Sequence, residues 1–164
     1  MTVVVADSSP LNYLTLIGSV DVLRLLYGRV LIPRQVADEL THAGAPIDVR
    51  EWARRLPDWI EVRDGSPISD TALGHLDRGE QAAIVLAQRE TALLIIDDAL
   101  GRREASSRGI GTIGTLGVLS AAAVKGHVDL PAALERLLDT NYRISRTLVD
   151  AVIAEDVARR RHRE

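Results

Sequence analysis

Leu93-Leu94-Ile95-Ile96-Asp97-Asp98 is the stretch on which the fold turns. Four aliphatic residues in succession suit a strand buried on both faces, as in a parallel sheet covered by helices. Two carboxylates follow at once. The same order occurs at the start of the chain, where Val3-Val4-Val5-Ala6 leads to Asp7. Apolar runs at 30–32, 59–62 and 110–113 bring the expected strands to about five. Helical patterns separate them. Ser9 and Pro10 read as a cap and first helical position, with Leu11, Leu14 and Ile17 on one face and Gly18 as the stop. Ser19 reads as the cap of a second short helix that ends at Gly28. Pro33 opens a third helix, and 47–56, 79–90 and 100–107 read as further helices. Three more are expected near 115–125, 131–140 and 145–160, the last capped by Ser145. The segment 64–69 is turn-rich and 71–77 is ambiguous. Strands alternating with helices predict an α/β fold with a parallel sheet and right-handed crossovers. Ligands of such sheets bind in the crevice at the carboxyl ends of the strands.

The composition sets bounds on function. A chain of 164 residues without repeats or linkers is read as a single domain, 1–164, with a core over 2–125 and C-terminal helices over 131–160. Its hydrophobic fraction of 46% supplies a sizeable core, and the absence of Phe makes that core aliphatic. The absence of Cys excludes disulfides and thiolate metal ligands. A net charge of −3 argues against a passive nucleic-acid binder, which is usually basic. An enzyme that meets phosphate through a bound cation has no such requirement. The apolar start lacks a basic leader, and no apolar run approaches a membrane span, so a cytoplasmic location and no membrane partner are expected.

The acids are the chemical signal. Asp7 closes the first strand and Asp97 and Asp98 close the fourth. Glu39 lies one turn after Val36 and flanks the apolar face that carries Val36 and Leu40, so it can face the crevice while Asp38 faces water. Glu80 sits in the first turn of a helix, at the rim of the face bearing Ala83, Ile84 and Ala87. Each has an ordinary explanation: a turn aspartate, a solvated glutamate, an acid complementing a helix dipole. Side chains alternate along a strand, so Asp97 and Asp98 reach the crevice together only if the strand ends at Ile96. Of the two, Asp98 is the favoured partner and Asp97 the second candidate. Carboxylates gathered in one crevice repel one another unless a cation joins them. A divalent metal site that handles phosphate is the simplest expectation.

Taken together, these motifs resemble the PIN-domain family. The resemblance rests on V-A-D-S-S-P-L at 5–11, I-P-x-x-V-x-x-E-L at 32–40, R-G-E-Q-A-A-I at 78–84, L-I-I-D-D-x-x-x-R-x-x-A at 94–105 and G-T-I-G-T-L-G-V-L at 111–119. It is especially similar to the subfamily whose central acid stands in a G-E-x-x-A context, and it covers about residues 2–125. The resemblance implies a three-layer α/β/α sandwich and a Mg²⁺- or Mn²⁺-dependent ribonuclease. It further implies the toxin of a type II toxin–antitoxin pair, with a small antitoxin as partner and a homodimer as the assembly. Carried over by motif, Asp7, Glu39, Glu80 and Asp98 form the catalytic quartet. Asp7, Glu80, Asp98 and the adjacent Asp97 are the metal ligands. In many members a further acid stands near the fifth strand, where this chain has Thr112, Gly114 and Thr115. A second metal ion would therefore be weakly held or absent.

Substrate-binding candidates follow from position. Ser8 can orient water or phosphate, Arg102 with Arg103 lies one turn past Asp98, and Thr115 can touch phosphate or cap a helix. Two other readings remain. One is a PIN-like interaction scaffold with little catalysis. The other is a receiver-type signalling module, which needs an early acidic pair and a lysine near the last strand. Here the adjacent pair comes late and the only lysine, Lys125, falls within a helix. The four histidines show no metal-ligand spacing, and no nucleophile elbow or phosphate-binding glycine loop is present. The arginine-rich end, 159–163, reads as a frayed terminus.

Overall fold

A computed structural model describes residues 2–64 and 70–163. Five parallel strands form one sheet: β1 (Val4–Ala6), β2 (Val30–Pro33), β3 (Ile60–Arg63), β4 (Leu93–Ile95) and β5 (Thr112–Ile113). Their order is β3-β2-β1-β4-β5. The helices are α1 (Ser8–Leu16), α2 (Val22–Tyr27), α3 (Arg34–Thr41), α4 (Ile47–Arg54), α5 (Arg78–Glu90), α6 (Ala99–Ser107), α7 (Thr115–Val124), α8 (Leu130–Leu138) and α9 (Arg146–Arg161).

The continuous aliphatic runs are explained by two cores, one on each face of the sheet. Val4, Ala6, Val30, Ile32 and Ile95 pack on the face covered by α1 to α4 and α7 to α9. Val5, Leu31, Leu94 and Ile96 pack on the other, under α5 and α6. Neighbouring residues of a strand point to opposite faces, so burial on both sides removes the polar alternation of a half-exposed strand. The result is the three-layer α/β/α architecture expected from the motifs.

Pairing fixes where the strands end. Ala6 stands opposite Ile95, and the amide of Asp7 donates to the Ile95 carbonyl at 2.9 Å. The chain runs outward from β1 through β2 to β3 and then returns to the other side of β1 as β4. The strand order therefore reverses between β1 and β4, the place where open α/β sheets form their crevice.

The elements differ in detail from the sequence expectations. Asp7, not Ser9, is the N-cap of α1; Ser8 and Ser9 are its first two residues and Pro10 its third. β1 and α1 meet with a single residue between them, which leaves no room for the cap two positions later. Asp21 rather than Ser19 occupies the N-cap of α2, and Ser19 contributes its carbonyl to the Val22 amide at 3.1 Å. Gly18 and Gly28 end their helices with φ of +73° and +78°, as a glycine stop requires. Ser145 does cap α9, its hydroxyl accepting from the Leu148 amide at 3.1 Å. The fourth strand ends at Ile95, one residue early, and the fifth is only Thr112–Ile113. Residues 71–73 form a 3-10 turn. The turn expected over 64–69 lies, from 65 onward, outside the described residues.

The two-faced core gives a stability contrast. Leu94 has no exposed surface, whereas Leu100 on α6 is 50% exposed. Leu94→Ala is expected to lower unfolding free energy by about 2–5 kcal/mol, and Leu100→Ala by no more than about 0.5 kcal/mol. Urea denaturation monitored by circular dichroism measures both.

Candidate active site

The acids meet because four helices begin at the same end of the sheet. Asp7 precedes α1, Asp77 precedes α5, Asp98 precedes α6, and Thr115 opens α7. Helix N-termini carry partial positive charge and free amides, so they favour carboxylates and phosphate alike.

Asp7 is the central group. It is 2% exposed, and its Oδ1 has no hydrogen-bond partner. Although it holds the N-cap position, its side chain makes no capping bond to α1. Burial pushes its pKa well above the ordinary aspartate value, against a hydrogen bond with the Ser8 backbone, and the charges of Asp77, Glu80 and Glu39 push it further. The other buried aspartate, Asp156 on α9, is paired with Arg159 and Arg160. Asp7 has neighbours of its own sign instead. A buried, unpartnered carboxylate oxygen costs on the order of 1–3 kcal/mol or more. The fold tolerates this at Asp7 without using the side chain as a cap.

Glu39 approaches from α3 and is half-buried. Ser8 Oγ donates to its Oε2 at 2.6 Å, and the Gly79 backbone contributes a further hydrogen bond. Its pKa is raised, first by burial and then by the charge of Asp77, against the lowering effect of those bonds. Gly79 leaves room for this carboxylate: a Cβ on it would lie 2.1 Å from Glu39 Oε1 and would push the Glu39 side chain aside. Asp38 is exposed, as helical geometry required.

Glu80 and Asp77 cap α5 reciprocally. The Glu80 amide donates to Asp77 Oδ1 at 2.8 Å and the Asp77 amide to Glu80 Oε2 at 3.3 Å, a capping box. Glu80 is pushed up to about 7, mainly by burial and then by the charges of Asp77 and Asp98. Asp77 was missed in the sequence reading. Its signal was available as Asp77-x-x-Glu80, a capping box directly before an apolar helix.

Alternation separates Asp97 from Asp98 even though the strand stops at Ile95. Asp98 caps α6, accepting from the Gly101 amide at 2.8 Å, on the side of Glu80. Asp97 turns the other way. The Thr115 amide donates to its Oδ1 at 2.8 Å, the Thr115 hydroxyl to its Oδ2 at 2.7 Å, and the Tyr142 hydroxyl to its Oδ1 at 3.0 Å. Thr115 is fully buried, with hydroxyl and amide both committed to Asp97 rather than open to substrate. A Cβ on Gly114 would lie 2.9 Å from Asp97 Oδ1 and 3.6 Å from Arg102 Nη1, so Asp97, Gly114 and Arg102 are close-packed. Arg102 is itself exposed on the rim. Tyr142, in turn, packs edge-on to Tyr13 with ring centroids 4.9 Å apart. Neither tyrosine belonged to a motif, and their approach across 128 residues or more of chain is invisible in sequence.

The donor set is all carboxylate oxygen, which suits Mg²⁺ or Mn²⁺ and excludes softer thiolate-loving ions. Among the described residues, no three His, Cys, Asp or Glu side chains already converge as ligands. The fit rests on the free Oδ1 of Asp7 and on Glu39 and Glu80, which burial and neighbouring carboxylates push toward protonation. Lys125 stands at the far end of α7 from Asp97, about 15 Å along the helix, which removes the receiver-type arrangement.

A parallel α/β/α sheet with acids at its switch point places the candidate site where open α/β sheets bind their ligands. The family comparison makes this specific: the chain matches DUF3368, described as a PIN domain, over residues 3–156, and it belongs to that family. PIN domains are generally metal-dependent nucleases. The fold is also similar to that of a PilT N-terminus domain protein, SSO1118, from the hyperthermophilic archaeon Sulfolobus solfataricus P2. That likeness has a TM-score of 0.56 at 22% identity and covers 73% of this chain and 92% of the other. No curated protein matches.

Two outcomes follow from this electrostatics. The folded state binds protons at Asp7, Glu39 and Glu80 more tightly than the unfolded chain. Metal-free stability should therefore fall as pH rises from the ordinary glutamate value of 4.5 to about 7, the range set by Glu80. Asp7→Asn should raise the melting temperature at pH 8, by roughly 2–4 °C per kcal/mol of repulsion removed, and much less at pH 5. Scanning calorimetry in EDTA reads both. Gly79→Ala, by contrast, should displace Glu39. A loss of nuclease activity with a melting shift of a few degrees, about 1 kcal/mol of overpacking, is the expected result.

Proposed function

We propose that this protein is a Mg²⁺- or Mn²⁺-dependent endoribonuclease that hydrolyses RNA phosphodiesters. The observation that carries the reading is the buried, unpartnered Asp7 carboxylate surrounded by Glu39, Asp77 and Glu80. Asp7, Glu80 and Asp98 would hold the cation, with Glu39 completing the catalytic quartet. When bound, the cation offsets charge on the phosphate oxygens and makes water a better nucleophile. The protein groups divide the remaining work. Ser8 and Gly79 hold the Glu39 carboxylate in place. Glu80, pushed up to about 7 in the metal-free crevice, would give up its proton on holding the cation, and the attacking water would lose its proton to solvent. Asp97 fixes the start of α7 through Thr115, and so holds that wall of the crevice. Arg102 stands exposed on the same wall and can meet the phosphate of an approaching strand. Water adds to phosphorus, the opposite oxygen leaves with a proton, and no covalent enzyme intermediate forms.

The family resemblance supports a cytoplasmic toxin of a type II pair, neutralised by a small antitoxin and assembled as a homodimer, with residues 1–164 as one domain. No helix among the described residues is long and apolar enough to cross a membrane. One observation favours a scaffold with weak catalysis as second reading: the fifth-strand position offers Thr115, already bound to Asp97, instead of a further acid.

Asp7→Asn, Glu80→Gln and Asp98→Asn should each reduce metal-dependent RNA cleavage by about a hundredfold or more. Asp48→Asn, an exposed acid in the first turn of α4, should leave it unchanged. Folded variants that cut RNA at the parental rate would remove that residue from the mechanism. An inactive parent with every metal tried would favour the scaffold.

A further inference from the structure

Glu39 is shared between the acidic crevice and a cavity of about 720 Å³ that opens between α3, the loop after it and the start of α5. That volume accommodates a nucleotide. Its walls combine an apolar surface at Ala45 with polar groups from Gln35, Asp38, His42 and Arg78. Two of these are prepared in ways the fold itself does not need.

The side-chain carbonyl of Gln35 is buried and has no hydrogen-bond partner. An orphaned amide oxygen is costly, and the terminal torsion of glutamine is soft, so turning the amide toward the cavity would exchange an unmet acceptor for a met one. The ring of His42 is held from behind: the Gly44 amide donates to its Nδ1 at 3.0 Å. The accepting nitrogen carries no proton, so in the neutral ring the proton is on Nε2. That bond steadies the exposed ring where it lines the cavity. Asp38 adds a second acceptor, and Arg78 adds a cation one residue before Gly79, against the crevice.

We propose that this cavity binds the nucleotide next to the scissile phosphate and selects a base carrying an exocyclic amino group. This rests on the ribonuclease reading above. The base stacks on His42 and Ala45, its amino group donates to Gln35 and Asp38, and Arg78 takes the adjoining phosphate. With the Gln35 carbonyl turned inward beside Asp38, two acceptors favour the amino-bearing bases cytosine, adenine and guanine, and uracil, which offers a carbonyl where cytosine offers an amine, is disfavoured. Stacking on an aromatic face is base-tolerant, so discrimination falls to Gln35 and Asp38.

The test has two arms. Metal-free protein in EDTA is titrated with CMP and UMP by calorimetry, for the parent, Gln35→Ala, His42→Ala and Arg78→Ala. The parent should prefer CMP by about tenfold, the scale of a good base-edge contact. Gln35→Ala should bring the two within about twofold, and His42→Ala and Arg78→Ala should weaken both alike. In the second arm, RNAs varied at the position flanking the cut are cleaved with metal present. Gln35→Ala should erase the preference through KM and leave kcat on the uridine RNA unchanged. Equal binding of CMP and UMP by the parent, or an unaltered preference in Gln35→Ala, would overturn the proposal. Selective nucleotide binding without any RNA cleavage would sustain the pocket and sink the nuclease reading. Cleavage without selectivity would do the reverse.

Discussion

The pairing of β1 with β4 is the constraint from which the site follows. Ala6 and Ile95 end level with each other because the Asp7 amide is tied to the Ile95 carbonyl. Slip that register by one residue and every side chain of the strand changes face. Val5 and Leu94 would leave the core beneath α5, and Asp7 would leave the crevice. Burial of the strands on both sides therefore does two things at once. It holds the sheet together, and it holds a carboxylate where water cannot fully solvate it.

The crevice is a balance between two opposed effects. Four helix N-termini supply partial positive charge and free amides, which welcome carboxylates. Burial and mutual repulsion push Asp7, Glu39 and Glu80 toward protonation. Fixed donors engage some of the acids: Asp98 caps α6 through one oxygen, and Asp97 is saturated by Thr115 and Tyr142. They leave Asp7 with a free oxygen. The wall on one side is thus rigid and hydrogen-bonded, while the centre is electrostatically unfinished. Such a division suits a site that must admit an ion and a phosphate without reorganising its walls.

Much of this was legible in the chain. The aliphatic runs ending in Asp7 and Asp97-Asp98 announced buried parallel strands with acids at their carboxyl ends. Helical phase separated Glu39 from Asp38, and strand alternation showed that Asp97 and Asp98 would part company, with Asp98 the favoured partner. The misses have local causes. Ser9 looked like a cap because Pro10 follows it, yet the helix already begins at Ser8, directly after the strand, which leaves Asp7 in that position. Asp77 escaped notice because the segment before α5 has no clear period, although its spacing to Glu80 was a capping signal. Thr115 was legible as a helix start and opens α7 in the structure, but its partner was not.

Sequence alone determined the layer architecture and the family, and it named most of the candidate acids, because periodicity and short motifs are properties of neighbours in the chain. Tertiary structure alone decided which acid is left unpartnered, that Gly79 faces Glu39, and that Tyr142 closes on Asp97 from 45 residues away. Those outcomes, including the room that Gly79 leaves for a movable Glu39 carboxylate, depend on distances between segments remote in sequence. Burial and Coulomb energy are set by such distances, and no local pattern encodes them.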